Sequence, residues 1–439
     1  MRILQIVPGT ANFYCGACIR DTALVRALRR LGHEVILQPL YLPIMTDEPD
    51  IEHDASILFG GINVYLQQKT KLFRNTPRWI DRIFDSRRLL SFSARQANMT
   101  NASELGEMTI SMLEGENGKQ AKELDRFARW LSEIERPDVV ILSTGMLLGL
   151  AKVISQDLRF PLVCTLQGED GFLDALPEPH RTEAWRLFSS NGEYVDAFIA
   201  VSHYYADVMK RRMNLHSDKC LVVQNGISLD GYGDPADAVE TPTLGYMAHM
   251  RPAKGLDRLI DAFIQLKKRP EFRSLRLKIA GTMTRADRPF VGEMKKRLED
   301  ADVLSDASFY PNISRNEKID FLKSLSALSV PATYGECFGL YIVEAMAAGV
   351  PVVQPRHGGF PEILDRTSGG ILYEADDMGS YVSALAQLLS QPEHARQLGL
   401  RGRDAVQDHF NVDRMAQDIL RILERVRESG FDSFPKDVI

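Results

Sequence analysis

The chain has 439 residues, of which 44% are hydrophobic and 26% are charged, and its formal net charge is −6. This length predicts two domains, because one hydrophobic core rarely serves more than about 250 residues. The acidic balance argues against a protein that coats nucleic acid, since such proteins need a basic surface to neutralise phosphates. We therefore expect a globular protein without a nucleic-acid partner.

The start of the chain shows no export signal. MRILQIV runs into Pro8 and Gly9 without a basic region, a long apolar region or a small-residue cleavage site. The longest apolar stretch, residues 139–151, is shorter than the ~20 residues that span a bilayer. The five cysteines are an odd number, which predicts reduced thiols rather than a disulfide framework. We expect a cytoplasmic location.

Strand and helix patterns alternate from the first residue. Strand patterns lie at 2–7, 34–38, 138–142, 161–166 and 197–202. A helix pattern at 16–31 ends at Gly32 and separates the first two strands. This βαβ arrangement predicts a parallel sheet with a ligand crevice beyond the carboxyl ends of its strands.

A run rich in Gly, Asp and Pro, residues 229–242, predicts an interdomain linker. Further strand patterns follow at 244–248, 275–280, 307–310, 327–331 and 350–354. The expected fold class is α/β, with Rossmann-like domains at 1–235 and 236–409. The last helical pattern, 413–428, would pack on the first domain, so that about 410–439 joins it.

The segment PATYGECFGLYIVEAMAAGVP, residues 331–351, carries the most information about function. Its helix pattern begins at Gly339 and ends at Gly349, and the amide groups at a helix start suit a diphosphate. Glu344 lies ~7.5 Å further along the helix axis, where a carboxylate can accept hydrogen bonds from a ribose diol. Glu336, in the preceding loop, would point toward the sugar. A solvated helix face is the alternative interpretation of this glutamate pair.

The segment resembles the donor-binding signature of glycosyltransferase family 4. The likeness rests on the E-x7-E spacing of Glu336 and Glu344, on CFGL between them, and on EAMAAGVPVV and HGGFPEIL after them. Residues 244–263, LGYMAHMRPAKGLDRLIDAF, resemble the first strand, phosphate loop and helix of the family's second domain, with Lys254 on the phosphate lysine. Residues 222–232, VVQNGISLDGY, resemble the strand that leads into the linker.

This resemblance implies the GT-B fold, in which two Rossmann-like domains face each other across a cleft. It implies a retaining enzyme that moves a sugar from a nucleotide-diphosphate sugar to a hydroxyl acceptor, which is a saccharide, a lipid-linked molecule or a small molecule. No metal or other cofactor is expected, because lysine, arginine and a helix start stabilise the leaving group. The implied catalytic residues are Glu336, Lys254 and Gln167. The implied donor-binding residues are Glu344, Arg251, His249, Gly16, Phe338, Gly339, Leu340, Gly281 and Ile313. On the acceptor or sugar side the resemblance implies Glu169, Asp170 and Cys15.

Two positions depart from the family pattern. His249 stands where the family has an arginine five residues before the lysine, and Arg251 would supply the missing charge if the backbone there is extended. Gln167 stands where the family has a histidine, so it keeps a hydrogen bond to a sugar but cannot titrate. These departures keep open a second interpretation, a non-catalytic relative that binds nucleotide sugars.

Two weaker patterns add further alternatives. Cys15 and Cys18 have the C-x-x-C spacing of thiol redox proteins, although small residues that fill a tight loop explain it as well. Residues 65–90 interleave basic and apolar side chains. They would rest on the inner face of an anionic membrane, or else form an amphipathic helix over the first domain. The sequence predicts neither the donor base and sugar, nor the acceptor, nor the oligomeric state.

Overall fold

The computed structural model describes residues 1–9, 16–42, 59, 67–68, 102–234 and 239–429. Contacts between Cα atoms divide the chain into two compact units. The first unit is Met1–Gln224 with Met415–Ile439, and the second unit is Asn225–Arg414. Residues 229–242, where the sequence predicts a linker, begin just inside the second unit.

The first unit is built on a parallel sheet, six-stranded within the described residues, in the order β2-β1-β3-β4-β5-β6. Its strands are β1 Arg2–Val7, β2 Glu34–Pro39, β3 Val139–Leu142, β4 Leu162–Leu166, β5 Ala197–Ala200 and β6 Cys220–Val222. Most residues of β1, β3, β4 and β5 are buried, as expected for a parallel sheet covered on both faces. The strand order reverses between β1 and β3, which places a ligand crevice beyond their carboxyl ends.

Helices connect these strands. They are α1 Gly16–Arg30, α2 Ala102–Leu113, α3 Ala121–Glu133, α4 Asp170–Leu173, α5 His180–Asn191 and α6 His203–Met213. Short 3-10 turns lie at Gly115–Asn117, Gly145–Leu150, Gly192–Tyr194 and Ser217–Lys219, and a π turn at Val153–Asp157. Capping residues determine where these helices begin and end. For example, the Ser202 side chain accepts from the Tyr205 N–H at the start of α6, and Asn214 ends that helix in the left-handed conformation.

The second unit has its own parallel sheet, also six-stranded where it is described, in the order β12-β11-β10-β7-β8-β9. Its strands are β7 Thr243–Met247, β8 Arg276–Gly281, β9 Ala307–Pro311, β10 Ala327–Leu328, β11 Val352–Pro355 and β12 Gly370–Tyr373. The order reverses between β7 and β10. Because ligands of such sheets bind beyond the carboxyl ends at the reversal, the loops after β7 and β10 are where a site is expected.

The helices of the second unit are α7 Leu256–Lys267, α8 Arg288–Asp300, α9 Arg315–Lys323, α10 Leu340–Ala347, α11 Phe360–Thr367, α12 Met378–Leu389 and α13 Pro392–His409. A last helix, α14 Val412–Ser429, begins in the second unit and continues into the first. Short 3-10 turns lie at Pro252–Lys254, Pro270–Phe272 and Leu304–Asp306.

Helix α10 matters most for the site. Gly339, with φ of 92°, caps its start, and Gly349, with φ of 80°, follows its end, so the predicted helix is confirmed. Nearly all its residues are apolar and buried, and Glu344 is the acidic one. Because six of its eight residues are buried, the packing around this helix fixes the direction in which the Glu344 side chain leaves it.

The predicted fold class, α/β with two Rossmann-like units, is confirmed. Each strand predicted from the sequence is present to within about two residues at its ends, apart from β10, which is shorter. Two strands lack a predicted strand pattern, β6 and β12, although the family resemblance implies a strand that starts at residue 222, the last residue of β6. Both lie at the edge of their sheet. In the described part of the chain, helices that combine the length and the apolar character needed to cross a membrane are absent.

Candidate functional site

Two loops meet at the reversal point of the second sheet. The loop after β7 carries Lys254, and the loop after β10 carries Glu336. The Thr333 N–H donates to the Ala253 carbonyl at 3.1 Å, which ties the two loops together beside these side chains. The fold therefore brings together two of the residues that the family resemblance implies as catalytic, although 82 positions separate them in the chain.

Lys254 and Glu336 form an ion pair between the Lys254 ammonium and Glu336 Oε2. The two side chains are 13% and 9% exposed, so the pair is nearly shut off from solvent. Glu336 Oε2 also accepts from the Tyr341 hydroxyl at 3.0 Å and from the Tyr334 hydroxyl at 3.4 Å. The ammonium lies 5.0 Å and 5.6 Å from the ring centres of Tyr334 and Tyr341, within the range of a cation–π contact.

These contacts keep the cluster charged. Burial alone would lower the pKa of Lys254, but the Glu336 carboxylate and the Tyr334 hydroxyl together outweigh burial and raise this pKa above its ordinary value. Burial and the same carboxylate raise the pKa of the Tyr341 hydroxyl, which therefore remains a hydrogen-bond donor. A permanently positive side chain thus lies beside the start of α10.

The segment after β11 supports the Glu336 backbone. The Gly359 N–H donates to the Glu336 carbonyl at 2.8 Å, and His357 Nε2 bonds the Ala332 carbonyl at 3.0 Å. Gly358 has φ of 62°, and a Cβ there would lie 2.6 Å from the Glu336 backbone, so a larger residue does not fit. The glycines of HGG therefore position Glu336 by close packing.

The three residues at the start of α10 differ in exposure. Phe338 is 1% exposed and packs against Phe410, with 6.0 Å between ring centres. Gly339 is buried and Leu340 is half-buried. Because the Phe338 side chain belongs to the core, a ligand here would meet backbone groups of this segment rather than that ring.

Glu344 is also paired. Its Oε1 accepts from the ammonium of Lys318, which lies in α9. The Lys318 and Glu344 side chains are 17% and 14% exposed. The contact could not be predicted from the sequence, because 26 positions separate Lys318 from Glu344 and only the fold brings them together.

Gly281 is the last residue of β8, and Ile313 follows the neighbouring strand β9. The Asn312 N–H donates to the Gly281 carbonyl at 2.9 Å and so joins the two strand ends. Gly281 has φ of 135°, and a Cβ would lie 1.9 Å from the Ala248 carbonyl oxygen. Only glycine fits there. Ile313 is half-buried, just before α9.

His249 has a carboxylate partner. Its Nε2 lies 2.8 Å from Asp287 Oδ2, and the Thr284 N–H and hydroxyl donate to the same oxygen at 2.7 Å and 2.6 Å. Burial alone would raise the pKa of Asp287, but these hydrogen bonds outweigh burial and lower it. Asp287 is thus an ionised acceptor that orients the His249 ring, a role that the sequence analysis did not foresee.

Arg251 is exposed, but the backbone before it does not run extended. The Arg251 N–H donates to the His249 carbonyl at 2.8 Å, which closes a turn at Met250. Met250 is fully buried, and its N–H donates to the Thr282 carbonyl at 2.9 Å. The turn means that the His249 and Arg251 side chains need not face the same side, as they would on an extended backbone. That Arg251 supplies the missing charge stays a prediction.

Glu169 of the first unit is 4% exposed and lies after β4. It accepts hydrogen bonds from donors on three segments: Thr144 Oγ1 at 2.7 Å, Gly145 N at 2.9 Å, Gln167 N at 2.8 Å, Gly168 N at 3.0 Å and the Tyr205 hydroxyl at 2.9 Å. These donors occupy its oxygens, so Glu169 holds the loop after β4 against the loop after β3.

Gln167 is fixed by the same loops. Its Nε2 donates to the Ser143 carbonyl at 2.6 Å, immediately beyond β3. Asp170 begins α4, and burial raises the pKa of its carboxyl group. Gly16 is exposed at the first position of α1. These three predicted residues follow, or pack beside, carboxyl ends of the first sheet.

Other predictions fall on residues that the structure does not describe. Cys15 is one of them, so the C-x-x-C prediction is untested, while Cys18 is buried. Residues 65–90 are outside the description except for positions 67 and 68, and membrane contact stays a prediction. Within the described ranges, no group of three or more His, Cys, Asp and Glu side chains is placed to hold a metal ion.

A buried ion pair also lies in α1 of the first unit. Arg20 Nη1 donates to Asp21 Oδ1 at 2.8 Å, and the two side chains are 0% and 2% exposed. Burial raises the pKa of the Asp21 carboxyl group to about 6, although Arg20 pulls it down.

Comparison with known families decides the identity of the chain. Residues 235–405 match the family described as glycosyl transferases group 1, and residues 111–230 match glycosyltransferase family 4. Together these two matches cover more than half of the 439 residues. The chain belongs to the group 1 glycosyltransferases of family 4.

The relatives of this family 4 chain agree with its fold. D-inositol 3-phosphate glycosyltransferase of Streptomyces avermitilis is 30% identical over 220 residues, which is 46% of each chain. The sucrose-phosphate synthase structure from Thermosynechococcus elongatus has a TM-score of 0.71 at 18% identity, over 97% of this chain and 99% of that one. The Anabaena HepE structure in complex with UDP-glucose has a TM-score of 0.66 at 16% identity, over 96% and 99%. The chain spans about half the length of the curated relatives it matches.

The family signature points to Lys254, Glu336 and Glu344 but says nothing of their partners in this family 4 chain. Tyr334 and Tyr341 lie inside the 331–351 segment and contact Glu336, but no role for them was predicted from the sequence. Lys318 and Asp287 lie far along the chain from their partners and gave no signal in the sequence.

Proposed function

We propose that the protein transfers a sugar from a nucleotide-diphosphate sugar to a hydroxyl acceptor, with retention of anomeric configuration. One observation carries the proposal. At the reversal point of the second sheet, a buried Lys254–Glu336 pair lies beside the start of α10, and Glu344 projects from the same helix. A cation, a helix start and a second carboxylate in this order match a diphosphate followed by a ribose.

The chemistry asked of these groups is charge stabilisation. The bond between the anomeric carbon and the β-phosphate oxygen breaks, and its electron pair leaves with the nucleotide. A bond between the acceptor oxygen and the anomeric carbon forms, and the proton of the acceptor hydroxyl passes to the departing phosphate oxygen. Lys254 and the first amides of α10 would face the negative charge that develops on the β-phosphate. We propose that they do so without a metal ion, so chelation with EDTA should leave the rate unchanged.

Lys254 has two possible partners in this scheme, the Glu336 carboxylate and the diphosphate. Its ammonium pairs with Glu336. When a diphosphate is bound, the ammonium is shared, and the Tyr341 hydroxyl at 3.0 Å remains to support the buried carboxylate. Glu336 is then available to a sugar hydroxyl or to the developing positive charge at the anomeric centre.

Relatives support the choice of donor. HepE of Anabaena was crystallised in complex with UDP-glucose, and the Streptomyces relative is described as a D-inositol 3-phosphate glycosyltransferase. We extend the nucleotide-sugar donor class to this chain, and leave the donor base and the acceptor to experiment.

The test measures release of free nucleotide from UDP-, GDP- and ADP-sugars, first with water and then with candidate hydroxyl acceptors. We expect acceptor-dependent release that Glu336→Gln lowers at least about 100-fold, within the range of lost electrostatic stabilisation. Glu374→Gln is the matched control, because Glu374 pairs with Arg356 on the exposed surface at 3.1 Å. Nucleotide binding without release would favour the non-catalytic relative, and inverted configuration in the product would contradict retention.

A further inference from the structure

The carboxylate proposed to bind the ribose is already occupied by a cation. Glu344 Oε1 accepts from the Lys318 ammonium, and both side chains are more than four-fifths buried. An exposed lysine near a glutamate is a common surface feature, but a pair this buried has paid a desolvation penalty and is held in place by its surroundings. A buried cation beside the carboxylate that is proposed to bind ribose therefore suggests a role for Lys318 in the site.

The chain between β9 and α9 determines where Lys318 lies. Strand β9 ends at Pro311, and Asn312 turns the chain in the left-handed conformation with φ of 56°. Ser314 then caps α9, its hydroxyl and the Glu317 side chain forming a capping box. Lys318 lies one turn into this helix, so the cap and the strand before it fix the place of its backbone.

Neighbouring groups define the surroundings of the pair. The Arg315 guanidinium, one turn before Lys318, donates to the Asp230 carbonyl at 2.9 Å. Tyr232 is 4% exposed, and burial together with the nearby Glu344 raises the pKa of its hydroxyl. Lys318 is thus the ammonium that faces Glu344, while Arg315 is engaged with the backbone.

We propose that Lys318 binds the ribose of the donor and, with Glu344, selects ribonucleotides over deoxyribonucleotides. A vicinal diol has two O–H donors and lone pairs on both oxygens. The Glu344 carboxylate accepts hydrogen bonds from the two hydroxyl groups, and the Lys318 ammonium donates to a lone pair on one of their oxygens. The ion pair therefore contacts both the donors and the acceptors of the diol. This inference rests on the proposed function, because it takes the nucleotide to lie at α10.

If Lys318 only blocked Glu344, its removal would change nucleotide affinity in the opposite direction. If Lys318 only neutralises Glu344 and must be displaced by the nucleotide, removal of the ammonium frees the carboxylate and tightens binding. If Lys318 binds the diol, its removal weakens binding to ribonucleotides and has little effect on a nucleotide that lacks the contacted hydroxyl.

The test is titration calorimetry of the full chain with UDP, GDP and ADP, followed by the 2′-deoxy and 3′-deoxy forms of the best binder. Lys318→Met should lower the affinity for the ribonucleotide about tenfold, and for one of the deoxy forms less than about twofold. Lys318→Arg keeps a cationic donor and should restore most of the affinity.

Lys323→Met is the matched control, since it makes the same change in the last turn of α9. It should leave all affinities unchanged. Tighter binding by Lys318→Met, or an equal loss for the ribo and both deoxy forms, would overturn the inference while leaving the proposed function standing. Failure of the unaltered protein to bind any of the three nucleotides would overturn both.

Discussion

Glu169 shows how one carboxylate can organise two loops. Five donors from the chain point at its two oxygens, and the residue is 4% exposed. Hydrogen bonds to a charged group contribute about 1.5–3 kcal/mol each, and a buried donor left without an acceptor costs about 1–3 kcal/mol. Glu169 is therefore best understood as a positioning residue for Gln167 and the loop after β3.

Glu169→Gln should destabilise the first unit by at least about 2 kcal/mol, because an amide NH2 would face N–H donors that now find an acceptor. Tryptophan fluorescence during urea unfolding reports this unit, since Trp79, Trp130 and Trp185 all precede Gln224. Glu183→Gln is the control, because Glu183 pairs with Arg186 in an exposed i,i+3 contact. Equal midpoints for the two variants would contradict the positioning role.

Asp21 makes the first unit sensitive to pH in a direction unusual for a carboxylate. Burial raises its pKa from 3.8 to about 6. Between about pH 4 and pH 6 the unfolded chain has released this proton while the folded chain still holds it. The folded state then binds more protons, so the contribution of Asp21 to stability falls as pH rises through this window.

We expect the free energy of unfolding of the unaltered protein, relative to Asp21→Asn, to fall by on the order of 3 kcal/mol between pH 4 and pH 7. Comparison with the neutral variant removes the contribution of the other carboxylates. The measurement is urea unfolding by tryptophan fluorescence at several pH values. A relative stability that is flat, or that rises with pH, would show that the charged form is not disfavoured in the fold.

Residue identities could be predicted at the site, but their pairings could not. Lys254 and Glu336 were singled out by the family signature, yet their contact depends on two loops that meet only in the folded sheet. Lys318 looked like an ordinary helix-surface lysine in the sequence. Its burial beside Glu344 depends on the folded unit, which periodicity within one helix cannot show.

Helix α9 links the end of β9 to the Lys318–Glu344 pair. Ser314 and Glu317 cap its start reciprocally: the Ser314 N–H donates to Glu317 Oε2 at 2.8 Å, and the Glu317 N–H donates to Ser314 Oγ at 3.4 Å. The cap fixes both the direction of the helix and the place of Ile313 just before it. Stability and ligand binding should therefore respond together when the cap is removed.

Ser314→Ala should destabilise the second unit by about 1 kcal/mol, the usual loss of an N-cap, and weaken nucleotide binding about two- to fivefold through the displaced Lys318. Differential scanning calorimetry and titration calorimetry measure the two effects. Ser305→Ala, in the short turn before β9, is the control. Loss of stability without any change in affinity would mean that α9 does not contribute to the nucleotide site.

At the scale of elements, most strands could be predicted because parallel strands buried on both faces appear as continuous apolar runs. The two strands without a predicted strand pattern are short edge strands. Cys220–Val222 has three residues, and Gly370–Tyr373 begins with a glycine and is mostly half-buried. Their pairing to a neighbouring strand, rather than their own side chains, makes them strands.

At the scale of the whole chain, both units follow one plan. Each has a parallel sheet whose strand order reverses once, and candidate residues follow the strands at each reversal. In the first unit Gln167 bonds the Ser143 carbonyl just beyond β3. In the second unit Lys254 and Glu336 follow β7 and β10. Length and alternation predicted this plan, because a ligand crevice at the reversal is a property of the sheet topology.

The central claim is that a nucleoside diphosphate binds the second unit with its ribose at Glu344. Titration calorimetry of the full chain with UDP, GDP and ADP tests it most directly. We predict that at least one of them binds, and that Glu344→Ala weakens this binding at least about tenfold, because one or two charge-assisted hydrogen bonds are lost. Glu374→Ala should bind as the unaltered protein does. Binding that is absent from the unaltered protein, or unchanged in Glu344→Ala, would contradict the claim.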